Sequence, residues 1–324
     1  MKAINMHSDT LMGAFRLSPQ LDLLHCPRLQ VDFQRMRQGD MDVNFFAIFL
    51  PPAERLRQHT PPMDYEGYIA LLYKAYTDNM EAHASWIRPA CTAADIEKNR
   101  AEGLLSALLT MEDGAAVYGR MENLKGFYDM GVRALSLTWN FENCFGFPNS
   151  PDPAKMALGL KPFGKEAVLY MQELGMLVDV SHLSDGGFYD VAALCKKPFV
   201  ATHSNCRALS PHPRNLTDDM LHLLADCGGV SGLNFYGCFL NENPQDSTSR
   251  IEDIVRHAKH MVKVAGEDVV AIGTDFDGMS GEQEIIDCAH MPLLEDALLK
   301  AGFTSRQVEK IFSANVMRVL KDTL

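Results

Sequence analysis

The chain has 324 residues, 47% apolar and 22% charged, a balance that excludes wholesale disorder, collagen and coiled coil. A net charge of −12 argues against a nucleic-acid partner, because an acidic surface gains nothing from a phosphate backbone. No apolar run approaches the ~18 residues of a membrane span, and His7 and Asp9 interrupt what would be the apolar stretch of a secretory signal.

In chain order, short β-rich runs alternate with helical patterns. Strands are predicted at 2–7, 43–50, 106–112, 132–139, 176–182, 198–204, 229–235 and 269–276. Several are almost continuously apolar, as in Val43-Asn44-Phe45-Phe46-Ala47-Ile48-Phe49-Leu50, which is how a parallel strand covered on both faces reads. Between them, helices are predicted at 67–86, 121–130, 164–174, 219–225, 251–264 and 293–301. In the third of these, Ala167, Val168, Met171 and Leu174 share one face, and Gly175 supplies the stop. A last helix is signalled by a Thr304/Gln307 capping box, a Phe303–Val308 staple and a stripe of Ile311, Phe312, Val316 and Val319. Eight strands alternating with helices predict a (β/α)8 TIM-type barrel of one domain spanning residues 1–324. A doubly wound open sheet is the rival, but no GxGxxG follows any strand. Two long connections, 51–66 and 141–162, follow strand C-termini, the face on which barrels build their sites.

The strand ends carry unusual residues. The first ends in His7-Ser8-Asp9, the third in Met111-Glu112, the fifth in Ser181-His182, the sixth in Thr202-His203 and the eighth in Thr274-Asp275-Phe276-Asp277. A barrel brings these to one rim. Imidazoles and carboxylates converging there suit divalent metal, and a pair of ions needs a shared carboxylate, for which Glu112 is the candidate. A lone HxD is weak evidence in a chain with eleven His, and a single strand-end His is more often a hydrogen-bonded core residue than a ligand. Metal-type residues at the same end of several strands are harder to dismiss. His257 and His260, three apart on a predicted helix, fit a solvated face better than a chelate. No GxSxG elbow points to a serine hydrolase. The eight Cys include no CxxC pair, so reduced thiols in a cytoplasmic protein are expected.

With these residues in hand, the chain resembles the renal (membrane) dipeptidase family, binuclear zinc peptidases of the amidohydrolase superfamily. The resemblance runs nearly end to end. It is carried by HSDT (7–10), LLTMEDG (108–114), LGMLVDVSHLS (174–184), ATHSNCRALSPHPRNLTDDML (201–221), GGVSGLNFY (228–236), AIGTDFDG (271–278) and ANVMRVL (314–320). Their order and spacing together are more specific than any one of them.

The resemblance implies two Zn2+ per chain, with Mn2+ or Co2+ served by the same ligand types. His7 and Asp9 would hold the first ion, His182 and His203 the second, and Glu112 would bridge them. Glu112 and Asp275 would be the catalytic carboxylates, acting with a hydroxide between the metals, and Asp275 would move the proton. Arg214 matches an arginine that grips the substrate's C-terminal carboxylate, and Tyr236 a substrate-pocket tyrosine. The family's intermediate-stabilising histidine is replaced by Trp139, with Asn140 beside it as an amide donor. Arg207, three residues past Ser204, is weighed equally as a reader of an acidic side chain at the substrate's second position and as a plain surface arginine. The implied substrate is a dipeptide, with a D-residue tolerated at its C-terminal position, and a homodimer is implied by the family alone. Mammalian members also have a signal peptide and a lipid-anchoring tail that this sequence does not display, so no membrane partner is expected. Two alternatives stay open: a binuclear amidohydrolase acting on N-acyl amino acids, lactams or lactones, and a metal-stabilised scaffold without activity.

Overall fold

The computed structural model describes residues 1–18, 20–243 and 245–324. Its strands are β1 (Ala3–Ser8), β2 (Met41–Phe49), β3 (Ile87–Pro89), β4 (Leu105–Glu112), β5 (Val132–Ser136), β6 (Leu177–Asp179), β7 (Val200–Ala201), β8 (Val230–Leu233) and β9 (Val270–Ile272). They lie in the order β2-β1-β9-β8-β7-β6-β5-β4-β3, and a further β2–β4 pairing closes the ring. All the pairings are parallel. Eight strands therefore form a closed barrel with helices between them, the (β/α)8 architecture that the alternation predicts.

The ninth strand, β3, is absent from the sequence expectation. It pairs with the first residues of β4, whereas β5 takes over that edge from Leu109 onward. Three residues ending in a proline carry no readable period, and proline is tolerated there because the strand stands at an edge.

The core has two layers, as alternation along parallel strands requires. Ile4, Met6, Val43, Phe45, Leu108, Leu177 and Val230 belong to one cluster, onto which Val316, Val319 and Leu320 of the last helix pack. Neighbouring positions such as Phe46, Ile48, Leu109 and Val178 join Leu72, Leu124 and Val168 in the layer under the helices. The Thr304/Gln307 capping box forms as expected, and a π-helical turn at Lys310–Ala314 keeps Ile311 and Phe312 buried.

The later strands are shorter than the apolar runs that announce them. Only Val200–Ala201 of the run 198–204 is in the ladder, and of the run 269–276 only Val270–Ile272, with one isolated bridge from Phe276 back to Ser8. The C-terminal tails of these runs leave the sheet while staying buried, and they carry most of the candidate site. Side chains replace the lost ladder bonds. The Asp179 carboxylate accepts from the backbone N–H groups of Ser181 and Thr202, and Asn5 Oδ1 accepts from the Thr274 N–H.

Candidate metal centre

His7, Asp9, Glu112, His182, His203 and Asp275 meet at the C-terminal mouth of the barrel. The Nε2 atom of His7 lies 3.7 Å from Glu112 Oε2, 3.8 Å from Asp9 Oδ2 and 4.0 Å from Asp275 Oδ1. Glu112 Oε1 faces the other way, 2.9 Å from His182 Nε2 and 3.5 Å from His203 Nε2. One carboxylate thus presents an oxygen to each half of the cluster. The two groups His7/Glu112/His203 and His7/Asp9/Asp275 each bring ligand-type atoms within 4.8 Å of one another.

The imidazoles are oriented from behind. His182 Nδ1 lies 3.1 Å from Asn140 Oδ1, an acceptor, so it carries the ring proton. Thr202 Oγ1 donates its only proton to Asp179 Oδ2 at 2.6 Å, and therefore accepts from His203 Nδ1 at 2.8 Å. Both Nε2 lone pairs then point inward, 3.1 Å apart. Two imidazole lone pairs and a carboxylate oxygen at such spacing have no proton to share, an arrangement that a divalent cation resolves. His7 Nε2 and Asp9 Oδ1 are buried and have no hydrogen-bond partner. The nitrogen and oxygen donor set fits zinc, manganese or cobalt.

The electrostatics match this donor set. Burial, reinforced by the cations Arg214 and His7, pushes His182 and His203 well below the usual histidine range, so both are neutral as ligands must be. At His7 burial opposes charge, but Glu112, Asp9 and Asp275 outweigh it and raise the ring to about 10, a measure of how strongly these acids call for positive charge. Burial raises Glu112 well above the carboxylate range. It raises Asp275 to about 6 against the pull of His7, while Asn234 Nδ2 donates to Asp275 Oδ2 at 3.0 Å. His182 and Asp275 adopt left-handed backbone conformations, with φ of 68° and 65°, a strain that non-glycine residues tolerate mainly at functional sites.

Arg214 is buried against the same mouth. Its Nη1 reaches Ser204 Oγ at 3.3 Å and its Nη2 the His203 carbonyl at 3.2 Å, while Nε has no partner. No carboxylate pairs with it within 4 Å among the described residues. Tyr236 is half-buried and stands edge-on to Phe239 at 4.9 Å. Trp139 sits edge-on to Phe49 at 4.8 Å and 6.2 Å from the His182 ring.

Three expectations change in detail. Asn140, expected as an amide donor, also uses its carbonyl oxygen to orient His182, which leaves its Nδ2 donor available. Arg207 is committed to a bidentate pair with Asp185, at 2.6 and 2.8 Å, so its fork is not free for a substrate. His257 is fully buried instead of lying on a solvated face. It accepts from the Cys206 N–H at 3.1 Å and meets the Leu240 carbonyl at 3.0 Å. His260 pairs separately with Asp218. Residues that the sequence reasoning did not single out include Asp179, Thr202 and Asn234. They lie inside the quoted motifs, but nothing in their spacing distinguishes a supporting hydrogen bond from a core polar residue.

The model of the family described as membrane dipeptidase, peptidase family M19, matches residues 1–324. A dipeptidase crystal structure of that metallopeptidase family superposes with a TM-score of 0.89 at 28% identity, covering 100% of this chain and 98% of the other. A Rhodobacter sphaeroides metallopeptidase liganded with a phosphinate mimic of L-Ala-D-Ala gives 0.88 at 30% identity, covering 100% and 99%. An uncharacterized dipeptidase of Schizosaccharomyces pombe is 30% identical over 308 residues, 90% of this chain and 72% of the relative. Among the described residues, no helix is long and apolar enough to cross a membrane. With this barrel, these converging ligands and a family match along its whole length, the chain belongs to the membrane dipeptidase family of metallopeptidases, M19.

Proposed function

We propose that this enzyme hydrolyses dipeptides with two divalent ions, zinc in the first instance, held by His7 and Asp9 on one side and by His182 and His203 on the other, with Glu112 between them. The observation that carries this reading is the split of the Glu112 carboxylate, Oε2 toward His7 and Oε1 toward His182 and His203. Bound divalent ions would polarise the substrate carbonyl and make water acidic enough to attack near neutral pH.

The chain's own residues do the rest. Asp275, raised to about 6 and held by Asn234, is suited to accept a proton from the attacking water and return it to the leaving amine. Arg214 receives the substrate's C-terminal carboxylate: a buried guanidinium with a free Nε and no acidic partner is an anion site by its own desolvation. Its fixed distance from the cluster limits substrates to very short peptides. Trp139 and Tyr236 border the bound substrate. The relative that binds a mimic of L-Ala-D-Ala supports tolerance of a D-residue at the second position.

The test is a dipeptide panel on zinc-loaded enzyme, varying stereochemistry at both positions, with N-acyl amino acids and lactams as competitors. Turnover of L,L or L,D dipeptides above the other classes is expected. Turnover confined to lactams or N-acyl amino acids would replace this reading.

A further inference from the structure

A cationic cavity beside the cluster has no part in the chemistry above. It lies beyond the ends of β1 and β2 and has a volume of about 270 Å³. None of the cluster residues lines it, but Met12, one helical turn past Asp9, and Phe49, the register partner of Glu112, do, which puts it on the β1–β2 side of the cluster. Arg16, Arg55 and His59 also line it, and no carboxylate does. Neither arginine makes an ion pair among the described residues, and the nearby Glu54 is taken by Arg57 at 2.7 Å. The buried Tyr68 also lines the cavity and lies within electrostatic reach of Asp9, Arg16 and Arg55.

The barrel sets which end of a substrate arrives here. Arg214 bonds to the residues just past β7, and β7 stands four strands from β2 in either direction round the eight-strand ring. A dipeptide with its carboxylate at Arg214 and its peptide bond over Glu112 therefore directs its N-terminal side chain toward the β1–β2 side. We propose that Arg16 and Arg55 read an acidic side chain on the N-terminal residue, making Glu-Xaa and Asp-Xaa dipeptides the preferred substrates. This proposal rests on the dipeptidase reading. Two guanidinium forks with no acid of their own favour a carboxylate and repel a lysine. Both are exposed, so the discrimination is modest and weakens with salt.

The experiment compares kcat/KM of zinc-loaded enzyme for Glu-Ala, Gln-Ala, Lys-Ala and Ala-Glu, in the native chain and in Arg16→Gln, Arg55→Gln and the double variant. Glu-Ala is expected to exceed Gln-Ala about tenfold, with Lys-Ala lowest. Each single substitution lowers the Glu-Ala to Gln-Ala ratio part-way, and the double variant brings it near one. Equal rates for Glu-Ala and Gln-Ala in the native enzyme, or a preference that survives in the double variant, would overturn the proposal. So would an acid preference seen only with Ala-Glu. Absence of turnover with every dipeptide would overturn the dipeptidase reading itself, and this proposal with it.

Discussion

Glu112 faces His7 with one oxygen and His182 and His203 with the other, and the residues behind those two histidines set where their lone pairs point. The Asp179–Thr202–His203 chain is the clearest case. Thr202→Val keeps the shape of the side chain and removes the hydroxyl, so His203 is no longer held in one tautomer. Metal affinity measured by chelator competition should fall about 10- to 100-fold, as for other outer hydrogen-bond partners of ligands. An unchanged affinity would leave Thr202 with a packing role only. Gly278 acts through space instead of bonds. A Cβ there would collide with Asp9 Oδ2 and come within 2.6 Å of Asp275 Oδ1, so Gly278→Ala should lower metal content on elemental analysis. If Arg214 is the carboxylate clamp proposed above, Arg214→Ala should lower kcat/KM by the equivalent of about 2–4 kcal/mol. Unchanged steady-state kinetics would exclude Arg214 as the clamp.

At the scale of elements, the helix Ile251–Ala265 is tied to the barrel rim by His257, whose ring spans the Cys206 N–H and the Leu240 carbonyl. Burial, opposed by the Leu240 bond, depresses this histidine to about 4. An unfolded chain would bind a proton there near 6.5, so between about 6.5 and 4 the unfolded state holds more protons and stability rises with pH. The contribution is complete above about 6.5 and is lost as pH falls toward 4, on the order of 3 kcal/mol in all. The Tm of the native protein should therefore fall more steeply over that window than that of His257→Gln. Parallel curves would show that His257 does not drive acid destabilisation. The strand tails are a second element-scale feature. The sheet releases its strands early, and two of the released residues, His182 and Asp275, take left-handed conformations that a regular ladder would not permit.

For the molecule as a whole, the cluster holds carboxylates and imidazoles from five strand ends in a buried space, and a proton is a poor substitute for the cations they favour. Zinc should stabilise the fold by mass action, about 2.7 kcal/mol at a free concentration one hundred times Kd. Stripping metal with a chelator should lower Tm by several degrees, and zinc should restore it. A melting curve indifferent to chelator would contradict a metal centre at the mouth. Closure of the ring also puts β7, past whose end Arg214 bonds, four strands from β2, on whose side the cavity lined by Arg16 and Arg55 lies.

Much of this was legible before any coordinates. Period and punctuation announced eight of the nine strands, the capping box and the direction in which the strand ends face, because backbone propensity and apolar patterning are local. His7, Asp9, Glu112, His182, His203 and Asp275 could be named because strand-end chemistry is conspicuous once a barrel is assumed. The proton positions on His182 and His203, the commitment of Arg207 to Asp185 and the burial of His257 could not be. Each depends on partners tens of residues away that only the closed ring brings within hydrogen-bonding distance. The gathering of Arg16 and Arg55 in one cavity with no carboxylate in its lining likewise follows from the fold alone.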